Sequence, residues 1–444
     1  LSSQTRVLAL GMRVFYFVPT FFESVVMRKS LLGFWALFII PFSLYSQLTG
    51  FHLYEKDGVY NVSPWLRYDR ASGFFTGLTG DYFFTERLQM HGEGGYAWAA
   101  RKPDYHLRLQ QSFISDNTEY SIAAAYFDKA DTRDRMVLPE WQNSLTSIVA
   151  KRDYYDWYRI KGGNFEMRTD ISGTLKITIS GTWQHYRNAD VNAQWSMFDW
   201  GAKKNNGHAR FRINPEIPEG RDVSLGTAIE LDTRPSPLAS VSAWLIHSDY
   251  ANARLLHKAF NSDFSYQRGS LTITRQQRMF GKQKWTFYGA YDGFSGNTVI
   301  QKDSSSSLTY GQFLYDAGGL GSLRGYGYKE FSDGNRRMLF QSEYYFNGSF
   351  LPQTPLTKIW GLGFIFKTFD LMLFWDIGHA WQASEKVMYF VPDGFHWRDM
   401  RSSAGGGLAV SDWIKIQYAY VLKDGIRTHR GNYGIYFQFT PKLK

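Results

Sequence analysis

The most chemically pointed stretch of this 444-residue chain is a glycine-rich segment, Gly311 to Asn335, which contains Gly318-Gly319-Leu320-Gly321-Ser322-Leu323-Arg324-Gly325-Tyr326. Glycine at this density permits positive φ and close backbone approach, which a loop folded tightly against other backbone needs. Arg324 carries a planar guanidinium fork that engages two acceptors at once. Two carboxylates follow that could be those acceptors: Glu343, in Met338–Phe346, and Asp376, in Leu371–Gly378. The chemistry this constellation offers is ion pairing rather than bond breaking. Cysteine is absent, which excludes disulfides, thiolate metal sites and cysteine nucleophiles. The ten histidines show no H-E-x-x-H or comparable ligand spacing. No metal site and no cofactor is expected. His185, His208, His247, His379 and His429 face no evident nucleophilic serine with an orienting acid, and no G-x-S-x-G occurs, so no enzyme is expected.

The elements that must position these residues read as strands. Leu175, Ile177, Ile179 and Trp183 alternate with Thr174, Lys176, Thr178 and Ser180, a period of two rather than 3.6. The same alternation sets Ile414, Ile416, Tyr418 and Tyr420 against Lys415 and Gln417, and it returns in Tyr433, Ile435, Phe437 and Phe439. In Met338–Phe346 it puts Gln341 and Glu343 opposite Met338, Phe340 and Tyr344. In Leu371–Gly378 it puts Asp376 opposite Leu371, Leu373, Trp375 and Ile377. Both carboxylates therefore point to one face, inside. A carboxylate at membrane depth is costly unless paired, and Arg324 is the obvious cation.

Composition agrees. Aromatics make up 18% of the chain, including 29 Tyr and 15 Trp, yet mean hydropathy is only −0.36. A helical membrane bundle would be far more apolar; strands with one lipid-facing and one polar face give this mixture. Candidate segments lie near 74–84, 88–100, 105–114, 119–130, 154–168, 173–186, 221–232, 239–249, 260–268, 270–280, 284–295, 337–347, 362–380, 401–410, 413–422 and 432–440, sixteen in all. The predicted fold is all-β, a transmembrane antiparallel barrel of sixteen strands with a long loop folded into its lumen. One inconsistency attends this count. The long segments 131–153 and 187–220 follow even-numbered strands, where short periplasmic turns belong, so either the numbering slips by one strand or these are periplasmic insertions. Pro139 to Ala150 suits a short helix within the first.

At the N-terminus, Met27-Arg28-Lys29, the apolar run Leu31–Leu44 and Tyr45-Ser46-Gln47 follow the order of a secretory signal. The predicted division is an upstream extension at 1–26, a signal peptide at 27–46, a short segment at 47–70 and the barrel at 71–444. Formal charge is +10, of which Arg6, Arg13, Arg28 and Lys29 against Glu23 supply +3.

The ordered set of motifs resembles the BamA/TamA family of outer-membrane assembly factors. That family's sixteen-stranded barrel carries a loop motif matched here by Leu323-Arg324-Gly325-Tyr326. Its F-x-D-x-G strand motif is matched by Phe374, Asp376 and Gly378, and Glu343 lies where its intervening strand carries Glu. Asp232-Thr233-Arg234 and the glycine-rich Arg401–Gly407 are further counterparts. The resemblance implies that Leu323, Arg324, Gly325, Tyr326, Glu343, Asp376 and Gly378 lock the loop into the lumen. It implies a Gram-negative outer-membrane location and help with insertion or translocation of outer-membrane or surface proteins. Expected partners are outer-membrane lipid and lipopolysaccharide, unfolded protein clients, and periplasmic or lipoprotein partners, with no nucleic acid. Residues 47–70 are too few for the POTRA receptor domains such proteins carry, so the alternative is a passive pore or structural barrel.

Overall fold

The computed structural model describes Tyr54 to Phe439 apart from residues 57–58, 137, 202, 206–207, 235–241, 281–282, 297–298, 302–306, 310, 320, 347–354, 359–368, 411–413 and 423–432. The expected signal segment at 27–46 lies outside the described residues. Sixteen long strands form one antiparallel sheet. They are β1 Tyr60–Asp69, β2 Gly73–Phe83, β3 Leu88–Ala97, β4 Lys102–Ser115, β5 Thr118–Asp131, β6 Tyr158–Ile171, β7 Leu175–Asn188 and β8 Gly220–Asp232. They continue as β9 Ala243–Asn252, β10 Tyr266–Arg278, β11 Lys284–Gly296, β12 Arg336–Tyr345, β13 Asp370–Trp381, β14 Arg401–Val410, β15 Ile414–Val421 and β16 Tyr433–Phe439. Each pairs with the next, from β1 through β16. A three-residue strand, Tyr54–Lys56, adds to the far edge of β1, opposite Tyr60–Val62. Among the described residues no ladder joins β16 to β1.

The sixteen strands are not the sixteen segments read from the sequence. The first, β1, lies upstream of residue 71. It holds Pro64, which cannot donate to a ladder and is tolerated on an edge strand. Segments 260–268 and 270–280 are a single strand, β10, with unbroken register through Gly269 and Ser270. Gly269 is not a turn residue. A Cβ there would lie 2.5 Å from the Tyr389 ring, so the glycine admits a side chain from the 382–400 connection. One strand gained at the start and one lost in the middle keep the count at sixteen and shift the numbering between them. The long connections 132–157, 189–219, 297–335 and 382–400 now all follow odd-numbered strands, and tight turns follow β2, β4 and β6. That removes the need for periplasmic insertions.

Alternation gives the sheet two unlike faces. Leu107 and Leu109 of β4, Phe165 and Met167 of β6, Leu373 and Trp375 of β13 and Ile435 and Phe437 of β16 are all exposed on the outer face. Their neighbours in sequence point inward. Arg108 bonds Glu166 at 2.6 Å across the inner face, and Met372, Phe374 and Asp376 are buried. An apolar outer face carried on strand after strand is far larger than soluble proteins tolerate in water. The interior is packed rather than hollow along much of its length. Phe313, Leu314, Tyr186, Phe264, Tyr266 and Phe294 form one apolar cluster, and Leu323, Tyr326, Phe331 and Leu339 form another.

The 132–157 connection contains the helix anticipated near Pro139, α1 Glu140–Ala150. Its location was not anticipated. Tyr68 N–H of β1 donates to Ser144 Oγ at 3.1 Å, and Trp65 Nε1 donates to Glu140 Oε1 at 3.1 Å. Ile148 packs in a cluster with Tyr68, Phe74 and Val149. Tyr68 and Phe74 belong to the outer-face parity and Trp65 to the inner, so the helix runs along the free edge of β1 rather than on either face.

Candidate functional site

The glycine-rich loop enters the interior as a run of tight turns. Gly318, Gly319, Gly321 and Gly325 all have positive φ. At Gly325, φ is +93°, and a Cβ would lie 3.0 Å from Val421 Cγ2. Leu323 is fully buried, and Gln341 of β12 donates to Ser322 O at 2.6 Å, fixing the approach.

Arg324 meets both carboxylates. Its Nε and Nη2 donate to Asp376 Oδ2 and Oδ1 at 2.7 and 2.5 Å, its backbone N–H reaches Asp376 Oδ2 at 3.2 Å, and Nη1 donates to Glu343 Oε1 at 2.6 Å. The register explains the convergence. Glu343 pairs with Phe374, and Gln341 with Asp376, so the two acids sit two residues apart on the inner faces of adjacent strands. The guanidinium carbon lies 3.7 Å from the centroid of the Phe374 ring, a stacked cation–π contact. Phe374 in turn lies across Gly405 of β14, where a Cβ would be 2.5 Å from the ring. The glycine-rich middle of β14 thus makes room for the ring that underlies the arginine. Asp376 is fully buried. Glu343 keeps 17% side-chain exposure and further partners, Lys415 Nζ at 3.1 Å and the Tyr345 hydroxyl.

The other residues of the motif extend the contact to the end of the chain. Gly325 N–H donates to the Tyr436 hydroxyl of β16 at 2.7 Å, and that hydroxyl donates to Tyr326 O at 3.2 Å. The Tyr326 hydroxyl donates to Ser402 O at 3.0 Å. Gly378 is forced: a Cβ there would stand 2.8 Å from Met338 O and 3.3 Å from Leu323 Cδ2. The structure therefore brings all seven predicted residues together. Asp232 and Arg234 pair with each other at 2.6 Å and lie outside this group.

Downstream, the loop is clamped to the 132–157 connection. Lys329 Nζ lies 2.8 Å from Asp134, 2.5 Å from Asp156 and 3.3 Å from Asp316. Arg212 also bonds Asp156, Arg133 bonds Asp316, and the Tyr328 hydroxyl donates to Tyr154 O. Burial alone would push the Asp156 carboxyl up, but Lys329 and Arg212 beside it hold it below the ordinary carboxylate range.

Sequence reasoning missed two arrangements. The first is at the edges. Besides bonding β1, α1 reaches the other end of the sheet, where Gln142 Nε2 donates to Phe437 O of β16 at 3.1 Å. One helical turn thus satisfies backbone groups on both terminal strands. The helix was legible; its partners, 70 to 300 residues away, were not. The second is a set of His91, Glu93 and His106 on the inner face. Helical ligand spacing does not find it, whereas i, i+2 on a strand plus a cross-strand neighbour would. Of the histidines weighed for hydrolysis, His247 faces Asp249 and Glu230, while the Ser270 hydroxyl bonds Asp249, so the acid rather than the ring lies between. His429 and the His208 side chain lie outside the described residues.

No protein-family model and no curated protein matches the sequence. Among solved structures, the chain is similar to BamA from Haemophilus ducreyi lacking POTRA domains 1–3. The TM-score is 0.51 with 13% identity, over 87% of this chain and 70% of that one. It is also similar to CdiB from Acinetobacter baumannii, with a TM-score of 0.37 and 11% identity, over 85% of this chain and 58% of that one. The fold is that of a BamA-like barrel.

Proposed function

We propose that this BamA-like barrel resides in a Gram-negative outer membrane and assists insertion or translocation of outer-membrane or surface proteins. Its partners in this reading are outer-membrane lipid and lipopolysaccharide, unfolded protein clients, and periplasmic or lipoprotein factors that present those clients. The apolar outer face supports the membrane location, since strands that bury their backbone bonds in a ladder satisfy the bilayer's demand for internal hydrogen bonding.

The observation that carries the functional reading is the seam. Side chains of α1 bond backbone groups of both β1 and β16, and among the described residues no ladder joins these two strands. A strand edge whose pairing can be exchanged is a template for another strand. Here the template sits beside apolar outer residues of β16, Ile435 and Phe437, so a client strand paired there would already face lipid. The packed interior fits this role better than that of an open conduit.

The test is reconstitution of the full chain in liposomes, followed by addition of a urea-unfolded outer-membrane barrel. Faster appearance of heat-resistant client than in empty liposomes is expected, with the rate altered in Gln142→Leu. A rate equal to that of empty liposomes, together with large and steady single-channel conductance, would refute the reading in favour of a passive pore.

A further inference from the structure

We propose that the inner face of β2, β3 and β4 carries a binding site for a divalent transition-metal cation of the zinc class, with His91, Glu93 and His106 as its ligands. The three side chains are placed by strand geometry. His91 and Glu93 are two residues apart on β3 and so share a face, and Glu93 is the register partner of His106 on β4. Their candidate ligand atoms all lie within 4.8 Å of one another.

The distances separate this set from an ordinary ion pair. His91 Nε2 is 3.5 Å from Glu93 Oε1, and His106 Nδ1 is 3.6 Å from Glu93 Oε2. Both exceed the usual range for an N–H···O hydrogen bond. Each is close to the roughly 3.4 Å that metal–ligand bonds of about 2.0–2.1 Å in a tetrahedron set between neighbouring ligand atoms, with Oε1 turned to His91 and Oε2 to His106, so a small turn of the carboxylate brings one oxygen to both rings. By contrast, His91 Nδ1 lies at true hydrogen-bonding distance, 2.9 Å, from Asp81 Oδ1 on β2. That contact is the carboxylate–histidine arrangement that fixes a metal-binding imidazole: the proton goes to Nδ1, and the Nε2 lone pair is aimed at Glu93.

Two imidazoles with one carboxylate suit zinc, nickel or copper over calcium or magnesium, which favour all-oxygen shells. The side chains retain 20–29% exposure, so an ion and its remaining water ligands have access from the interior. Lys129 Nζ, 3.7 Å from Glu93 Oε2, is the group the metal must outcompete. No cation site of this kind follows from the proposed role in protein insertion, and the two stand or fall separately.

The experiment uses the untagged, refolded full chain in detergent, titrated with Zn2+ by calorimetry and with Co2+ by visible absorption. One ion per chain is expected, with a Co2+ spectrum of low coordination number and no response to Mg2+. Asp81→Asn should weaken Zn2+ binding about 10–100-fold, as loss of an orienting carboxylate does elsewhere. His106→Ala should remove the Co2+ spectrum, and Lys129→Met should bind Zn2+ at least as tightly as the parent. Heat resistance on gels reports that each variant is folded. Failure of the parent chain to bind Zn2+, or equal binding by folded His106→Ala, would overturn the site.

Discussion

Replacing Arg324 by alanine tests the physical account of the buried loop most directly. Asp376 is fully buried and, among the described residues, accepts three hydrogen bonds, all from Arg324. The alanine variant keeps only the backbone one. Glu343 is better insured, since Lys415 and the Tyr345 hydroxyl remain. The loss is therefore dominated by one uncompensated buried carboxylate, a change that costs about 3–5 kcal/mol. The same reasoning fixes the rescue. Adding Asp376→Asn to Arg324→Ala removes the orphaned charge and should recover more than half the loss, a coupling that a double-mutant cycle isolates. Exchanging the two charges in place should not rescue, because a carboxylate at position 324 would then face Glu343. Arg324→Lys should fall between, since an ammonium cannot span both acids in a fork. Guanidinium unfolding in detergent micelles, followed by tryptophan fluorescence and by heat resistance on gels, reads all four variants. An alanine variant as stable as the parent, or a double variant no better than the single, would refute the argument.

Two further outcomes follow from the loop. Gly325→Ala forces a side chain onto a residue at φ +93° and against Val421, so it should destabilise by about 1–3 kcal/mol in the same unfolding assay; an unchanged midpoint would show that the loop shifts freely. The clamp at Asp156 should depend on pH only in acid. Because its folded-state pKa is depressed by Lys329 and Arg212, its stabilisation is fully present above the ordinary carboxylate value of about 3.9 and is lost as pH falls through the lowered one. Acid unfolding monitored by fluorescence should show this loss in the parent and not in Asp156→Asn.

Much of this was legible because barrel-like strands write their orientation into every second residue. The inward placing of Glu343 and Asp376 followed from alternation alone, and the choice of Arg324 followed from the electrostatic cost of leaving them unpaired. The break placed between segments 260–268 and 270–280 falls on Gly269, which sits inside one strand and serves a close approach by Tyr389. The edge strand β1 was missed, and its Pro64 suits only an edge. The contacts of α1, the clamp at Lys329 and the His91–Glu93–His106 set were hidden for a different reason. They depend on which strands a curled sheet brings together, and local sequence carries no record of that.

The helix at the seam has a mechanical corollary. Between β15 and β16 seven residue pairs are in register, whereas among the described residues α1 bonds the backbone of β1 once, through Ser144, and that of β16 once, through Gln142. Of these only the Gln142 bond to Phe437 O reaches β16, and at a net value of about 1 kcal/mol it is the weaker end of the bridge that α1 makes. Tension on the α1 bridge is passed to the 132–157 connection that carries the helix. Residues 132–157, which carry the helix, also hold Lys329 through Asp134 and Asp156. A pull on either edge is thereby felt at the loop that carries Arg324.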